Sequence, residues 1–375
     1  MKTRLIRFTV DGYRNFSKPI TIDFSNVHDY KFNQECIDDG VITKMGIYGP
    51  NGSGKSNLGL ALFSIVPYLT DRFADFISVS SGIFLNVDRK TSYASFKYEF
   101  KTDDDEIILE YHKASFDTIC REIVIVNGSV IYDYDYVKRK FATFEPNELF
   151  SANLNFEYLG NNLSILRYIA NNSALKEDSP IRAVMDFVSH MLWFRSVRNN
   201  DFIGLETGPS ILDDWIINNG LVEDFNNFIK DTCDLDVTLR TRRGINGKPI
   251  LVEEHKNGAL VFREVSSSGT SAAELFYFWM KHFEDVSLLF LDEFDAYYHF
   301  ELAEKIIGKL KLYRNMQVIF TTHNTSLMGN DILRPDCYLI LRHGVLKSYI
   351  DSAGGREIRE GHNLEKIYRN GGLDG

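Results

Sequence analysis

Residues 49–56 read Gly49-Pro50-Asn51-Gly52-Ser53-Gly54-Lys55-Ser56, which matches the phosphate-loop pattern G-x-x-x-x-G-K-[ST] at every fixed position. In such a loop, backbone N–H groups and the positive end of the following helix surround the phosphates of a nucleotide. The pattern assigns Lys55 to the β- and γ-phosphates and the Ser56 hydroxyl to Mg²⁺. The sequence therefore predicts that the chain binds a nucleoside triphosphate with Mg²⁺.

The residues on either side of this loop fit a strand, a turn and a helix. Residues 42–48 form an apolar-rich run that suits a buried strand. Residues 55–66 carry apolar side chains at helical spacing, and Pro67 is predicted to end that helix because proline cannot continue the hydrogen-bond ladder. The local pattern thus supports the phosphate-loop interpretation.

A pair of carboxylates follows a buried strand much later in the chain. Residues 286–291 are apolar apart from Ser287 and lead into Asp292-Glu293, which is the Walker B arrangement. We predict that Asp292 supports Mg²⁺, directly or through water, and that Glu293 polarises the attacking water. The alternative is an acidic helix cap after a strand, which the phosphate loop in the same chain disfavours.

A histidine follows the next predicted strand. Residues 318–320 run into Thr321-Thr322-His323-Asn324, and one predicted helix separates this strand from the Walker B strand. A histidine at a strand end can donate a hydrogen bond to a γ-phosphate oxygen and sense its loss. We therefore predict a switch role for His323, although a lone loop histidine would more often be structural.

A serine–glycine loop stands before the Walker B strand. Residues 265–270 read Val-Ser-Ser-Ser-Gly-Thr, and Ser271 with Glu274 forms a predicted capping box for the helix that follows. This loop is a second place where backbone N–H groups at a helix start can bind an anion. The chain thus has two predicted anion-binding loops but only one pair of Walker B carboxylates. This is explained if each copy of the chain offers its serine–glycine loop to the γ-phosphate held by another copy.

Composition places the chain among globular proteins. It has 375 residues, 44% of them hydrophobic and 25% charged, with a net charge of −10. No apolar run reaches the ~20 residues of a membrane span, and nothing resembles a signal peptide. The four cysteines are far apart, so no zinc site or disulfide framework is predicted and a cytoplasmic location is expected.

The acidic balance bears on nucleic-acid binding, because nonspecific DNA affinity comes mainly from neutralised phosphates. Residues 240–243 and 138–140 are short basic runs that could form a local groove. Runs of this length are more often solvated surface. Nucleic-acid binding therefore stays possible but is not indicated by charge.

The order of patterns predicts an α/β protein. Residues 1–144 alternate like strands and hairpins around the phosphate loop, and residues 233–375 hold the serine–glycine loop, Walker B pair and switch histidine. Between them, residues 145–232 are predicted to be a helical insert. Ser179-Pro180 begins one of its helices, whose apolar stripe extends to Leu192.

Taken in order, the phosphate loop, the Ser-Ser-Gly-Thr loop, the Asp292-Glu293 pair and the Thr-Thr-His switch resemble an ABC-type ATPase head. The opening, residues 4–16, is similar to the start of the SMC/RecF branch. Residues 292–299, read as Asp-Glu-Phe-Asp followed by a histidine, and residues 363–372 resemble short bacterial ATPases. These are related to overcoming-lysogenisation-defect, abortive-infection and anti-phage proteins.

The resemblance implies a P-loop NTPase fold, with a mixed sheet, helices, an antiparallel β subdomain and the helical insert. It implies that Glu293, His323 and Lys55 are catalytic, that Asp292 and Ser56 hold Mg²⁺, and that Ser267 and Gly269 contact the partner's γ-phosphate. The family's usual glutamine after the phosphate-loop helix has no assigned counterpart here. ATP is expected to contact Gly49, Asn51, Gly52, Ser53, Gly54, Lys55, Ser56, Asn57 and Arg14.

Three functions are compatible with these motifs. The first is an ATPase switch in bacterial anti-phage defence, which pairs as a homodimer or higher homo-oligomer around ATP and controls a separately encoded effector. The second is a RecF-like or SMC-like DNA-binding ATPase of DNA repair, which the net charge of −10 disfavours. The third is a transporter subunit, which the RecF-like opening disfavours.

Overall fold

The computed structural model describes residues 2–72, 82–145, 154–157, 159–195, 201–204, 212–297 and 300–373. Within these residues, two seven-stranded sheets account for most of the strands, and two small sheets account for the rest. His299 lies outside the described residues. Among the described helices, none has the length and apolar character needed to cross a membrane.

The sheet that carries the phosphate loop is mixed, with parallel strands in its centre and an antiparallel strand at each edge. Its strand order is β12-β11-β16-β17-β5-β18-β19. Because the central strands are parallel, their carboxyl ends meet at one edge, where α/β proteins bind ligands. The strands are β5 (Lys44–Tyr48), β11 (Met191–Arg195), β12 (Asp201–Gly204), β16 (Leu288–Asp292), β17 (Gln317–Thr322), β18 (Tyr338–Arg342) and β19 (Val345–Ser348).

The second large sheet is antiparallel throughout, in the order β10-β9-β8-β7-β6-β1-β2. Its strands alternate buried and partly exposed residues, as expected for a sheet with one face on the core. The turn at Asn127-Gly128 has positive φ at both residues, as in a type I′ hairpin. The strands are β1 (Arg4–Asp11), β2 (Ile20–Asp23), β6 (Ala94–Lys101), β7 (Glu106–Lys113), β8 (Ile119–Val126), β9 (Ser129–Asp135) and β10 (Lys140–Phe144).

The remaining strands form a short ribbon and a three-stranded sheet. The ribbon pairs β3 (Ile37–Asp38) with β4 (Val41–Ile42) just before the phosphate-loop strand. The three-stranded sheet contains β13 (Leu239–Arg243), β14 (Pro249–His255) and β15 (Gly258–Val261). The fold class predicted from the sequence, a P-loop α/β head with an antiparallel β subdomain, is confirmed.

Helices cover the mixed sheet and also occur in the segment between the two halves of the chain. Many are short, and their ends carry the caps that the sequence provides, such as Ser164 and Asn363. The α-helices are α1 (Lys55–Leu62), α2 (Ile65–Leu69), α3 (Ile165–Asn172), α4 (Pro180–Ser189), α5 (Leu212–Asn218), α6 (Val222–Cys233), α7 (Phe262–Val265), α8 (Ser268–Met280), α9 (Phe300–Lys311), α10 (Tyr349–Ser352) and α11 (Leu364–Arg369).

Two helix predictions are wrong in detail. Pro67 does not end the phosphate-loop helix, because α1 already stops at Leu62 and Pro67 lies inside the separate helix α2. Proline is tolerated there because the first turn of a helix does not need its N–H group. The helix after the serine–glycine loop begins at Ser268 with Ser267 as its cap, so Ser271 lies inside the helix rather than capping it.

The purely helical character predicted for residues 145–232 is also wrong. Strand β11 belongs to this segment and pairs in parallel with the Walker B strand, Leu192 opposite Leu289. The side chain of Trp193 is buried against Phe63 and Phe290. A short apolar run has no periodicity that separates a strand from a helix, so Leu192 was assigned to the preceding helix. The domain boundaries themselves stay a prediction.

Candidate functional site

The phosphate loop joins the carboxyl end of β5 to the start of α1. Gly52 and Gly54 have φ of +77° and +105°, in the left-handed region that glycine adopts without steric cost. At Gly54 a Cβ atom would also overlap the side-chain amide of Asn15. These two glycines are therefore required by the backbone conformation, and the loop has the shape that phosphate binding needs.

Lys55 is buried at the mouth of this loop, with an exposed fraction of 3%. Its Nζ atom donates to the carbonyl oxygens of Gly49 at 2.8 Å and Pro50 at 3.2 Å. Burial lowers the pKa of Lys55, and the carboxylates of Glu293 and Asp292 act in the opposite direction. The structure thus brings the phosphate-loop lysine and the Walker B carboxylates within electrostatic range of one another.

The amino-terminal segment holds the loop from the other side. The Nδ2 atom of Asn15 donates to the Ser53 carbonyl at 3.4 Å, and the Nδ2 atom of Asn57 donates to Asn15 Oδ1 at 2.7 Å. Arg14 Nη1 donates to Asn57 Oδ1 at 3.1 Å, which places Arg14 against the first turn of α1. The sequence analysis assigned no role to Asn15, which here fixes the loop in place.

Thr321 organises the Walker B pair. It lies on β17, next to β16, where Leu291 faces Phe320 in the register. Its Oγ1 atom donates to Asp292 Oδ1 at 2.8 Å and accepts a hydrogen bond from the Glu293 N–H at 2.8 Å. One hydroxyl therefore fixes both carboxylate-bearing residues. Only the strand register identifies this role, so the sequence analysis missed it.

Glu293 has a φ of +47°, which is rare for a residue with a side chain. A residue held in this region costs of order 1–3 kcal/mol and persists only where neighbours enforce it. Here Thr321 is one such neighbour, because its Oγ1 atom accepts a hydrogen bond from the Glu293 N–H. This positive φ lies immediately after Asp292, the last residue of β16.

His323 and the phosphate loop share one cavity of about 560 Å³. The structure thus brings together the predicted switch histidine and residues 49–53 of the loop. Residues 342–344 and Tyr368, for which the sequence analysis predicted no site role, also line it. The complete lining is Asn15, Gly49, Pro50, Asn51, Gly52, Ser53, His323, Thr325, Arg342, His343, Gly344 and Tyr368.

The serine–glycine loop is not part of this cavity. Ser267 caps α8 by accepting a hydrogen bond from the Thr270 N–H at 3.1 Å, and its hydroxyl lies 2.9 Å from that of Thr270. The Ser266 hydroxyl lies 3.3 Å from that of Ser271. Among the described residues, the hydrogen bonds of these hydroxyls stay within the loop and the first turn of α8. Contact of Ser267 and Gly269 with a partner's nucleotide stays a prediction.

The residues present fit a nucleotide with Mg²⁺. The Ser53 hydroxyl is buried and forms no hydrogen bond within the described part of the chain, so the loop has a polar atom left for a ligand. Ser56 and Asp292 offer a hydroxyl and a carboxylate oxygen, which are Mg²⁺ ligands. No group of three or more His, Cys, Asp or Glu side chains that could hold a metal ion occurs among the described residues.

The two basic runs are partly neutralised by neighbouring strands. Arg240 and Arg242 on β13 both pair with Glu254 on β14, at 3.7 and 2.7 Å. Lys138 pairs with Asp135 at 3.1 Å. These ion pairs reduce the positive potential that DNA binding requires, which weakens the case for a DNA clamp.

Several solved structures are similar to this chain. The SMC head domain from Thermotoga maritima is 17% identical, covers 92% of this chain and 97% of its own, and has a TM-score of 0.45. The Smc head bound to the C-winged helix domain of ScpA is 16% identical, with 92% and 96% covered and a TM-score of 0.46. The Smc head with a coiled coil and joint from Pyrococcus yayanosii is 11% identical, with 98% and 99% covered and a TM-score of 0.46.

A search of curated proteins found no match to this sequence. In contrast, residues 44–329 match the family AAA_21, described as "AAA domain, putative AbiEii toxin, Type IV TA system". The match spans more than half of the chain and contains the phosphate loop, the Walker B pair and the switch histidine. The protein therefore belongs to the AAA_21 family.

Proposed function

We propose that this protein is an ATP-hydrolysing switch, in which ATP joins two copies of the chain and hydrolysis separates them. The observation that carries the proposal is the bridge that Thr321 makes between Asp292 and the backbone of Glu293. Such a bridge fixes the metal-supporting carboxylate of Asp292 relative to the backbone of Glu293, whose side chain would orient the attacking water. A fixed arrangement of this kind is what phosphoryl transfer requires, because positioning and electrostatics supply most of its catalysis.

Each residue in the site then has a distinct task. The N–H groups of residues 52–56 and the Lys55 ammonium bind the phosphates, and Glu293 orients the attacking water. Asp292 and Ser56 hold Mg²⁺, which when bound offsets the negative charge of the phosphates. His323, on the wall of the phosphate-loop cavity, responds to the presence of the terminal phosphate.

The second copy contributes the serine–glycine loop. The hydroxyls of Ser266 and Ser267 make their hydrogen bonds within their own loop and the start of α8. Val265, immediately before them, is 43% exposed. A loop of this kind can meet the nucleotide of another copy, so Ser267 and Gly269 would enclose a γ-phosphate that the partner's phosphate loop holds.

The biological setting that we propose is bacterial anti-phage defence in the cytoplasm, with a separately encoded effector. Support comes from the family description, which names an AbiEii toxin and a type IV toxin–antitoxin system. The paired, ATP-bound state would restrain or release the effector.

Two variants test the switch. Glu293→Gln should leave ATP affinity within about threefold of the wild type and lower phosphate release by at least about 100-fold, because the water-orienting carboxylate is lost. It should also accumulate as an ATP-dependent dimer, measured by size-exclusion chromatography with light scattering. Ser267→Arg should bind ATP normally but stay monomeric. Glu106→Gln, the same change at the exposed first residue of β7, is the matched control.

A monomeric Glu293→Gln protein with bound ATP would overturn the pairing mechanism. Undiminished phosphate release by the same variant would overturn the assignment of Glu293. The defence role is tested separately, by plaque formation on cells that carry this gene with its neighbouring genes. Equal plaque numbers with wild type and with Glu293→Gln would contradict that role.

A further inference from the structure

Strand β18 borders the phosphate-loop strand on the side opposite the switch. Tyr48, the last residue of β5, pairs with Thr322 on one side and with Ile340 on the other. All three strands are parallel, so the residues that follow them leave the sheet at the same edge. His323 and Arg342 consequently stand on opposite flanks of the first residues of the phosphate loop.

Backbone contact fixes β18 against this loop. A Cβ atom on Gly49 would overlap the carbonyl oxygen of Leu341, so no side chain separates the two segments. Arg342 pairs with Val345 across a two-residue turn in which His343 and Gly344 have φ of +49° and +71°. This is the geometry of a tight type I′ hairpin. The position of the Arg342 backbone beside the phosphate loop is therefore well determined.

The last helix, α11, contacts the Arg342 side chain. The guanidinium carbon lies 4.5 Å from the centroid of the Tyr368 ring, a cation–π distance. The same helix is tied to the switch segment, because Thr325 Oγ1 donates to Glu365 at 2.9 Å and accepts from Arg369 Nε at 2.9 Å. Helix α11 thus contacts both sides of the cavity. It meets Arg342 on one side and Thr325, two residues after His323, on the other.

The chemistry of the shared cavity favours an anion. Its lining contains Arg342, His343 and His323 but no Asp or Glu, although the whole chain has a net charge of −10. Glu365, which lies on α11, is engaged by Arg369 at 3.0 Å and by Thr325. The cavity also includes residues 49–53, whose loop is the phosphate-binding element of the fold.

We propose that Arg342 binds the terminal phosphate of the nucleoside triphosphate held by the phosphate loop, and that Tyr368 positions its guanidinium. Guanidinium groups bind phosphate oxygens through paired, charge-assisted hydrogen bonds. Arg342 then contacts ATP from the flank opposite the Walker B carboxylates, and makes this contact only when the terminal phosphate is present. This inference rests on the ATPase function proposed above and adds a residue that discriminates ATP from ADP.

The test compares affinities for a non-hydrolysable ATP analogue and for ADP, both with Mg²⁺, by isothermal titration calorimetry. Arg342→Gln should weaken the analogue about 10- to 50-fold but ADP less than about threefold, since a charge-assisted pair to one phosphate is lost. Retained ADP affinity also shows that the variant is folded. Tyr368→Leu should weaken the analogue about three- to fivefold.

Two further variants sharpen the result. Arg342→Lys should recover part of the analogue affinity, because it keeps the charge but loses the planar donor pair. Lys347→Gln, which removes an exposed cation on β19 outside the cavity, should leave both affinities unchanged. An Arg342→Gln protein that binds both ligands as the wild type does, or weakens both equally, would overturn the inference. If instead the wild type bound neither nucleotide, the proposed ATPase function itself would fail.

Discussion

The phosphate-loop end of the molecule and the serine–glycine loop differ in how they are held. At the phosphate loop, hydrogen bonds from Asn15, Asn57 and Thr321 join segments that lie far apart in the sequence. At the serine–glycine loop, the hydrogen bonds that the described residues make with the hydroxyls of Ser266 and Ser267 all come from the same loop and helix. The phosphate loop is therefore held by residues from distant parts of the chain. The serine–glycine loop is held by local contacts and presents its N–H donors at the start of α8.

In the proposed dimer, the nucleotide site consists of the phosphate loop of one copy and the serine–glycine loop of the other. The difference between the two loops indicates which of them is already organised before two copies meet. Residues fixed by several partners need little reorganisation when a ligand binds, which favours affinity and catalysis. A helix-start loop with only local hydrogen bonds can bind an anion supplied from elsewhere. Changes on the phosphate-loop side should therefore affect nucleotide binding or chemistry within one copy, and changes near α8 should not.

The largest effect is expected from Lys55→Ala. The lysine supplies the only side-chain ammonium of the loop motif, and its loss should weaken ATP about 100-fold or more, since charge-assisted hydrogen bonds are worth roughly 1.5–3 kcal/mol each. Fluorescence titration with a labelled ATP analogue measures this. Lys101→Ala, at the exposed end of β6, is the matched control. Affinity reduced less than about fivefold would remove the contrast between the two regions.

Thr321→Val tests the bridge between the Walker B residues. The change keeps the shape of the side chain but leaves Asp292 Oδ1 and the Glu293 N–H without this partner. Turnover should fall about 10- to 100-fold and the free energy of unfolding by about 1–3 kcal/mol, the cost of unsatisfied buried groups. Phosphate release and urea denaturation measure the two effects.

The control for this variant is Thr232→Val. Thr232 is also buried, on α6, but its hydroxyl has no hydrogen-bond partner within the described part of the chain. Removing that hydroxyl should leave turnover unchanged and stability equal or slightly higher, since no bond is lost. Equal losses in Thr321→Val and Thr232→Val would show that the hydroxyl bridge has no special role.

The smallest effect on nucleotide binding is expected from the helix that follows the serine–glycine loop. Glu274 on α8 is buried, and burial together with nearby Asp213 raises its pKa to about 9. The folded protein then holds a proton that the unfolded chain releases near its ordinary pKa of 4.5. The stability from this proton is complete below pH 4.5, decreases as pH rises above it, and is lost by about pH 9.

Glu274→Gln should remove this pH dependence. From pH 6 to pH 8 the wild type should lose about 3 kcal/mol of unfolding free energy from this group, since one extra proton is worth roughly 1.4 kcal/mol per pH unit. Urea denaturation at both pH values measures it, and Asp213→Asn should reduce the slope as well. ATP affinity should not change, because α8 lies outside the phosphate-loop cavity. A wild-type protein equally stable at both pH values would contradict the assignment.

Local patterns predicted the parts of the site that lie within one short segment. The phosphate loop, the Asp292-Glu293 pair and the strand before His323 were all identified because each motif sits beside its own strand. What connects these motifs was not predicted. The bridge by Thr321 depends on strand register, and the contact between Arg342 and Tyr368 depends on where the last helix packs. Such contacts join residues distant in sequence, so no periodicity or spacing reveals them.

The strand β11 has a consequence for any attempt to shorten this protein. It separates the Walker B strand from the edge of the mixed sheet, since its neighbours are β12 and β16. Excising residues 145–232 as a unit would leave β16 with unpaired backbone amide and carbonyl groups along one side. Such an exposed edge strand promotes pairing with strands of other molecules. A minimal version of the protein must keep Met191–Arg195. The middle of the chain is therefore a structural part of the mixed sheet and cannot be removed as a separate unit.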